Sequence, residues 1–271
     1  MTGLLHLTSL GLYGIAAALL GVSLAKGDGR LPRMAAFIVV GALVLHAWAF
    51  AAFWAHWNEL PLVGLGPVLF TLAMVLALGS VIAATLGHAN TVGLVLLPVV
   101  VLLMGAAVAI GVVPASDALR FQGVWFALHV LFAILGYAGL TVAFGAGLMY
   151  LLQFRELKTK HFGAIFRFFP PLATLERLGR SGLMLGFSFH TLALLIGWAW
   201  VERFGIVMAG GNAKLAWAGL SWLVFIAALV AGTGGGRRGR RGAWASVLGF
   251  LLVVAAYLLI RVQASHGGAF L

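Results

Sequence analysis

No cysteine occurs in this chain. That absence removes disulfides, thiolate metal centres and any Cys-x-x-Cys-His haem attachment motif. Charge is nearly as scarce: Lys, Arg, Asp and Glu make up 8% of 271 residues, against about a quarter in a soluble domain. Only six residues are acidic, and none sits inside a long apolar run, so no carboxylate is placed to carry a coupling ion through a bilayer. Long polar stretches are missing too, which leaves no room for a separate globular domain.

What fills the chain is apolar. Hydrophobic residues make up 63% of it and the mean hydropathy is +1.12. Eight apolar runs, at approximately 4–25, 34–57, 63–86, 91–113, 122–152, 181–201, 214–231 and 243–264, each approach the length that crosses a bilayer. The fold class expected is all-α: a polytopic membrane helix bundle of about eight transmembrane helices, with residues 1–271 forming a single integral-membrane domain. No Lys or Arg precedes the first run, so it lacks the charged start of a cleaved signal. Ser23-Leu24-Ala25 resembles a cleavage site, but the run reads as a retained first span. Pro67 and Pro98 are expected to kink or start helices, which a bilayer tolerates where neighbouring helices cover the freed backbone groups.

The net charge of +11 does not point to nucleic acid, because the basic residues sit in short loops between apolar runs. Lys26, Arg30 and Arg33 follow the first span. Arg155, Lys158, Lys160, Arg167, Arg177 and Arg180 follow the fifth, and Arg237, Arg238, Arg240 and Arg241 follow the seventh. These are thirteen of the 17 basic residues, all on one side. The positive-inside rule puts that side in the cytoplasm and both termini outside. In the cytoplasmic loop at about 153–180, Phe162, Ile165, Phe166, Phe168 and Phe169 alternate with His161 and Arg167 ahead of Pro170-Pro171. It reads as a basic amphipathic segment on the inner leaflet, either an ordinary interfacial helix or a docking surface. Gly182-x-x-x-Gly186 at the start of the sixth span reads as a close helix–helix packing site.

A rise of about 1.5 Å per residue turns position into depth. His129 lies roughly 10 Å below the outer end of the fifth span, and His266 just past the outer end of the eighth. His46 and His190 fall near the bilayer centre. An outer pair, His129 and His266, and a mid-membrane pair, His46 and His190, are therefore expected. Two imidazoles on opposite helices can clamp a porphyrin through its iron, and Trp48, Trp54, Trp57, Trp125, Trp198 and Trp200 could cover the macrocycle. The alternative stands beside it: an intramembrane histidine often hydrogen-bonds a backbone carbonyl, and tryptophan collects at interfaces for its amphipathic ring alone. His6 and His56 read as outer-surface residues, and His88 and His161 as cytoplasmic. Glu59, Asp117 and Glu202 form no spaced metal cluster.

Several stretches resemble the cytochrome c assembly family of membrane haem-handling proteins, most closely its short HemX- and YpjD-type members. They are Trp125-Phe-Ala-Leu-His129-Val with Gly136-Tyr137-Ala138-Gly139-Leu140; Gly186-Phe187 through Gly197-Trp198-Ala199-Trp200; Lys214-Leu-Ala-Trp217 to Trp222-Leu-Val-Phe225; and Arg237 to Arg241 followed by Ala243-Trp244 to Phe250. The resemblance implies haem binding, with His129 and His266 as external ligands and His46 as the buried histidine of an early helix. In larger members it implies delivery of haem to apocytochrome c. The outer loop Val201–Ala213 lacks the family's Trp-Gly-x-x-Trp-x-Trp-Asp signature, and Val230 stands near the place of a further buried histidine. His190, outside the family pattern, is read as replacing that missing partner of His46.

These readings imply a haem b-binding protein of the bacterial cytoplasmic (inner) membrane that assists cytochrome c biogenesis or haem trafficking. Its partners would be haem, the lipid bilayer and other maturation proteins or a haem-biosynthesis enzyme, with no nucleic acid. A competing reading is a membrane regulator that binds no haem and docks a cytoplasmic partner through 153–180. A proton-linked solute transporter ranks last, since no inverted repeat is visible. No nucleophile–base pair or phosphate loop occurs, so the chain is expected not to be an enzyme.

Overall fold

A computed structural model describes residues 2–62, 64–85, 91–114, 123–160, 163–204, 211–233 and 238–267. Among the described residues all regular structure is helical: α1 (Thr2–Lys26), α2 (Leu31–Trp57), α3 (Leu65–Thr85), α4 (Gly93–Ile110), α5 (Val124–Thr159), α6 (Ala164–Phe168), α7 (Leu172–Phe204), α8 (Gly211–Ala231) and α9 (Arg238–Gly267). Seven of them (α1 to α5, α7 and α9) are long and apolar enough to cross a membrane, and the apolar run of α8, Leu215–Ala231, is shorter. The protein is a multi-pass membrane helix bundle, as its composition requires. With no water in the bilayer to satisfy free amides, helices are the form such apolar runs can take.

Helix ends follow the local chemistry. Asn58 closes α2 in the left-handed conformation, φ 53°, and its N–H returns to the Trp54 carbonyl at 2.8 Å, the usual device for a helix C-terminus. Gly111 closes α4 with a positive φ of 100° and an extended ψ, its N–H returning to the Ala107 carbonyl. Pro98 lies inside α4, while Pro67 occupies the first turn of α3. The segment expected as a loop at 153–180 is mostly helical: α5 runs on to Thr159, α6 follows, and α7 begins at Leu172. Polar residues do not stop a helix whose hydrogen bonds are internal, so α5 simply continues past its apolar part. The Glu156 carboxylate caps α6, accepting from the Gly163 and Phe166 amides at 3.2 and 2.8 Å. Pro170 then forces Phe169 into extended backbone and ends α6.

The chain divides into two compact units, Met1–Gln122 with Met149–Leu178, and Gly123–Leu148 with Gly179–Leu271. In the first, α1 neighbours α2 and α4, α3 neighbours the same two, and α6 packs on α1. The buried stripe of α1 is His6, Ser9, Tyr13, Ala16, Leu20 and Ser23. That of α2 is Pro32, Ala35, Val39, Ala42, His46, Ala49 and Phe53. Both advance in alternating steps of three and four, the seam of two helices packed along their length. Alanine at 35, 42 and 49 lets the α2 backbone come close. In the second unit, Leu140, Ala143, Leu183, Val224, Phe225, Ala228 and Val253 form the core.

Candidate functional site

Four glycines set the geometry of the second unit. A Cβ on Gly139 would lie 2.5 Å from the Gly182 carbonyl oxygen and 2.6 Å from Gly186 Cα, and one on Gly186 would lie 2.9 Å from the Gly136 carbonyl oxygen. So α5 and α7 cross main chain to main chain, as the Gly182-x-x-x-Gly186 spacing anticipates. A Cβ on Gly136 would lie 2.9 Å from the Cβ of His190, which seats His190 directly against α5.

Seven residues before Gly136, His129 leaves α5 toward α7. Its Nδ1 lies 2.7 Å from the main-chain carbonyl oxygen of Ala193. A carbonyl only accepts, so Nδ1 carries the proton, and in the neutral ring the lone pair is left on Nε2. Room for the ring exists because residue 197 is glycine: a Cβ there would stand 2.6 Å from both Nδ1 and Cε1. Trp125, one turn before His129, is 58% exposed and Trp198 67% exposed. The nearby Phe126 and Trp200 rings pack at 5.4 Å, with Trp200 buried.

One turn along α7, His190 is buried in an aromatic cage. Tyr137 meets it edge-on at 5.1 Å and Phe225 tilts over it at 5.5 Å. Its Nε2 is 2.9 Å from Ser221 Oγ, which in turn donates to the Ala218 carbonyl and lies 3.4 Å from the Tyr137 hydroxyl. With that proton committed to Ala218, Ser221 accepts from Nε2–H of His190. Nδ1 of His190 is buried without a hydrogen-bond partner. Tyr137 stacks on Trp217 at 4.9 Å, and Trp217 Nε1 donates to the Val253 carbonyl, tying the cage to α9.

In the first unit, His46 is fully buried. Its Nδ1 is 3.2 Å from the Tyr13 hydroxyl and its ring packs on Phe70 at 4.2 Å. His6 packs on the same Phe70 ring at 5.0 Å and is buried, whereas the sequence reading put it at the surface. Nε2 of His6 and of His46 makes no hydrogen bond. His56 is exposed beside Trp57, as expected.

The structure therefore brings His129 and His190 into one unit, along the same face of α7. His46 belongs to the other unit, so the expected mid-membrane pair is not found within either; each member is engaged by its own neighbours. His266 falls on α9, but its side chain lies outside the described residues, as do His88, His161, Asp117 and Arg120. Among the described residues no group of three or more His, Cys, Asp or Glu could hold a bare metal ion. A haem iron can be held by single imidazoles, and His129 could serve as one: its proton is fixed on Nδ1, and Trp125, one turn before it, and Trp198, next to Gly197, are both exposed. A buried, unpaired nitrogen such as Nδ1 of His190 is a weaker fit, because its cage is already filled by Tyr137 and Phe225. Sequence reasoning missed Gly197, Tyr13 and Ser221. For Gly197 the only signal was a glycine one turn after Ala193, directly before Trp198.

The pattern of the family described as "Cytochrome C assembly protein" matches residues 4–266. An uncharacterized 28.8 kDa protein of Azospirillum brasilense is 30% identical over 239 residues, covering 85% of this chain and 84% of that one. The cytochrome c biogenesis protein CcsA of Guillardia theta is 28% identical over 149 residues, covering 49% and 50%. Among solved structures, Cytochrome c Heme Lyase CcmF shares the fold with a TM-score of 0.62 at 19% identity, over 97% of this chain and 49% of that one. The chain thus spans about half the length of that lyase. This corrects the expectation of no enzymatic role. A lyase is built on the same fold, so the lack of a nucleophile–base pair does not argue against catalysis. By its sequence over nearly its whole length, the chain belongs to the cytochrome c assembly protein family.

Proposed function

We propose that this protein handles haem for cytochrome c biogenesis at the outer face of the bacterial cytoplasmic membrane, as one membrane-embedded domain with both termini outside. Haem b is the expected species, since the chain has no cysteine to attach one covalently. His129 and His266 would hold the haem iron, and Trp125 and Trp198 would shield the macrocycle. The observation that carries this reading is the 2.7 Å contact between His129 Nδ1 and the Ala193 carbonyl. A backbone acceptor that fixes the ring and leaves Nε2 free is the arrangement metal-binding histidines use. Haem bound there would supply an iron that accepts imidazole nitrogen; the chain's own residues would bind, orient and shield it.

An absorption spectrum of detergent-purified protein, with and without reductant, tests this. A Soret band with low-spin features is expected, lost or shifted to high spin in His129→Ala. A colourless protein that also fails to bind added haemin would end the proposal. A second reading draws on the exposed basic side chains of Arg155, Lys158, Lys160, Arg167, Arg177 and Arg180, which fit an acidic cytoplasmic partner such as a maturation protein or haem-biosynthesis enzyme. Capture of such a partner that survives charge reversal at Arg155, Lys158 and Arg167 would remove it.

A further inference from the structure

We infer that Gly197 and the main-chain carbonyl of Ala193 form a seat that sets the tautomer of His129, which makes Gly197 a positioning residue for the outer haem ligand. The inference rests on the haem reading for its purpose, but its geometry stands alone.

Three observations lead to it. First, the only hydrogen bond described for the His129 ring runs from Nδ1 to the Ala193 carbonyl, at 2.7 Å. That carbonyl sits on α7 one turn before residue 197, and a carbonyl has two lone pairs, so it can serve both the helix and the ring. Second, the ring reaches it by lying over the spot a side chain at 197 would occupy: an added Cβ would be 2.6 Å from Nδ1, 2.6 Å from Cε1 and 3.5 Å from Cγ. Normal carbon contacts are about 3.5–4.0 Å, so any side chain pushes the ring off by about 1 Å, beyond hydrogen-bond range. Third, each glycine of the α5–α7 crossing meets main chain of the other helix, with side-chain atoms of His190, Val142 or Phe225 beside it at Gly136, Gly182 and Gly186, whereas all three atoms nearest Gly197 belong to one imidazole. Packing of two helices explains the former; it does not explain a glycine reserved beside one ring nitrogen.

The consequence is chemical. The tautomer of a neutral histidine is set by the hydrogen bond its other nitrogen makes. With the seat intact, the proton stays on Nδ1 and the Nε2 lone pair is present in every molecule. Without it, part of the population carries the proton on Nε2 and cannot ligate there.

The test uses full-length, haem-free protein in detergent with its histidines labelled with ¹⁵N, His129 being assigned by the signal lost in His129→Gln. The wild-type His129 is expected as the Nδ1–H tautomer, and Gly197→Ala as a mixture or the Nε2–H form. Haemin titration should then show about 10–100-fold weaker binding in Gly197→Ala, the range typical of losing a ligand's orienting partner. Free imidazole, which needs no seat, should restore the low-spin spectrum. A wild-type His129 found as Nε2–H overturns the inference even if Gly197→Ala fails to fold. So does a Gly197→Ala protein that keeps both the wild-type tautomer and haemin affinity. Should the tautomer shift while neither protein binds haemin, the seat stands and the haem reading fails.

Discussion

Replacing Gly139 by alanine should be among the most damaging single-methyl additions this protein can receive. The new Cβ would lie 2.5 Å from the Gly182 carbonyl oxygen, 2.6 Å from Gly186 Cα and 2.9 Å from Gly186 N. Carbon atoms rest about 3.5–4.0 Å apart, so α5 and α7 must separate by roughly 1 Å at their crossing. All three opposing atoms are main chain, and no rotamer can absorb the strain. Overpacking costs about 1–3 kcal/mol; with backbone on both sides the cost sits near the upper end. Alanine's better helix propensity offsets about 1 kcal/mol, leaving a net loss of about 2 kcal/mol. The control is Gly14→Ala on α1, where nothing lies within 4 Å of the added Cβ; it keeps the propensity gain without the clash. Unfolding by SDS in mixed micelles, followed through the chain's nine tryptophans, compares the two. If Gly139→Ala resists SDS as well as Gly14→Ala does, the main-chain crossing is not there.

Other substitutions probe the two histidine clusters and the α6 cap. Ser221→Ala leaves Nε2 of His190 without its 2.9 Å partner and should cost about 1–3 kcal/mol in the same titration, with Ser221→Thr milder. Phe70→Ala removes the ring on which both His6 and His46 pack; a loss of about 3–5 kcal/mol is expected, and a value below 1 kcal/mol would contradict the packing described. Glu156→Gln weakens the cap on α6, so the Gly163 and Phe166 amides should exchange faster with deuterium while the spanning helices stay protected.

Much of the architecture could be read from residues alone, because a bilayer admits few solutions. Apolar runs had to be helices, and Asn58, Gly111 and Pro170 end them where local chemistry says. The extension of α5 to Thr159 was not legible, since hydropathy reports where lipid begins rather than where backbone hydrogen bonding stops. His6 looked like a surface residue because only its depth was considered. Its place in the stripe His6, Ser9, Tyr13, Ala16, Leu20 shows that its bearing around α1 is inward. His46 and His190 were paired on depth alone, and they belong to different compact units. His129 was singled out by its depth and by the resemblance of Trp125-Phe-Ala-Leu-His129-Val to a family helix. The acceptor that holds it was not, because the Ala193 carbonyl is a backbone atom and any residue would have supplied it.

A joint made of main chain has no side-chain freedom with which to give. Where Gly139 meets Gly182 and Gly186, the two rods can neither slide nor roll by small steps without breaking contact. His190 and the Ala193 carbonyl ride on the same rod just beyond that joint, so they keep a fixed station relative to α5. If haem binds beside His129 as proposed, the room it needs would have to come from the helix ends beyond this joint, because the joint itself has no slack to give.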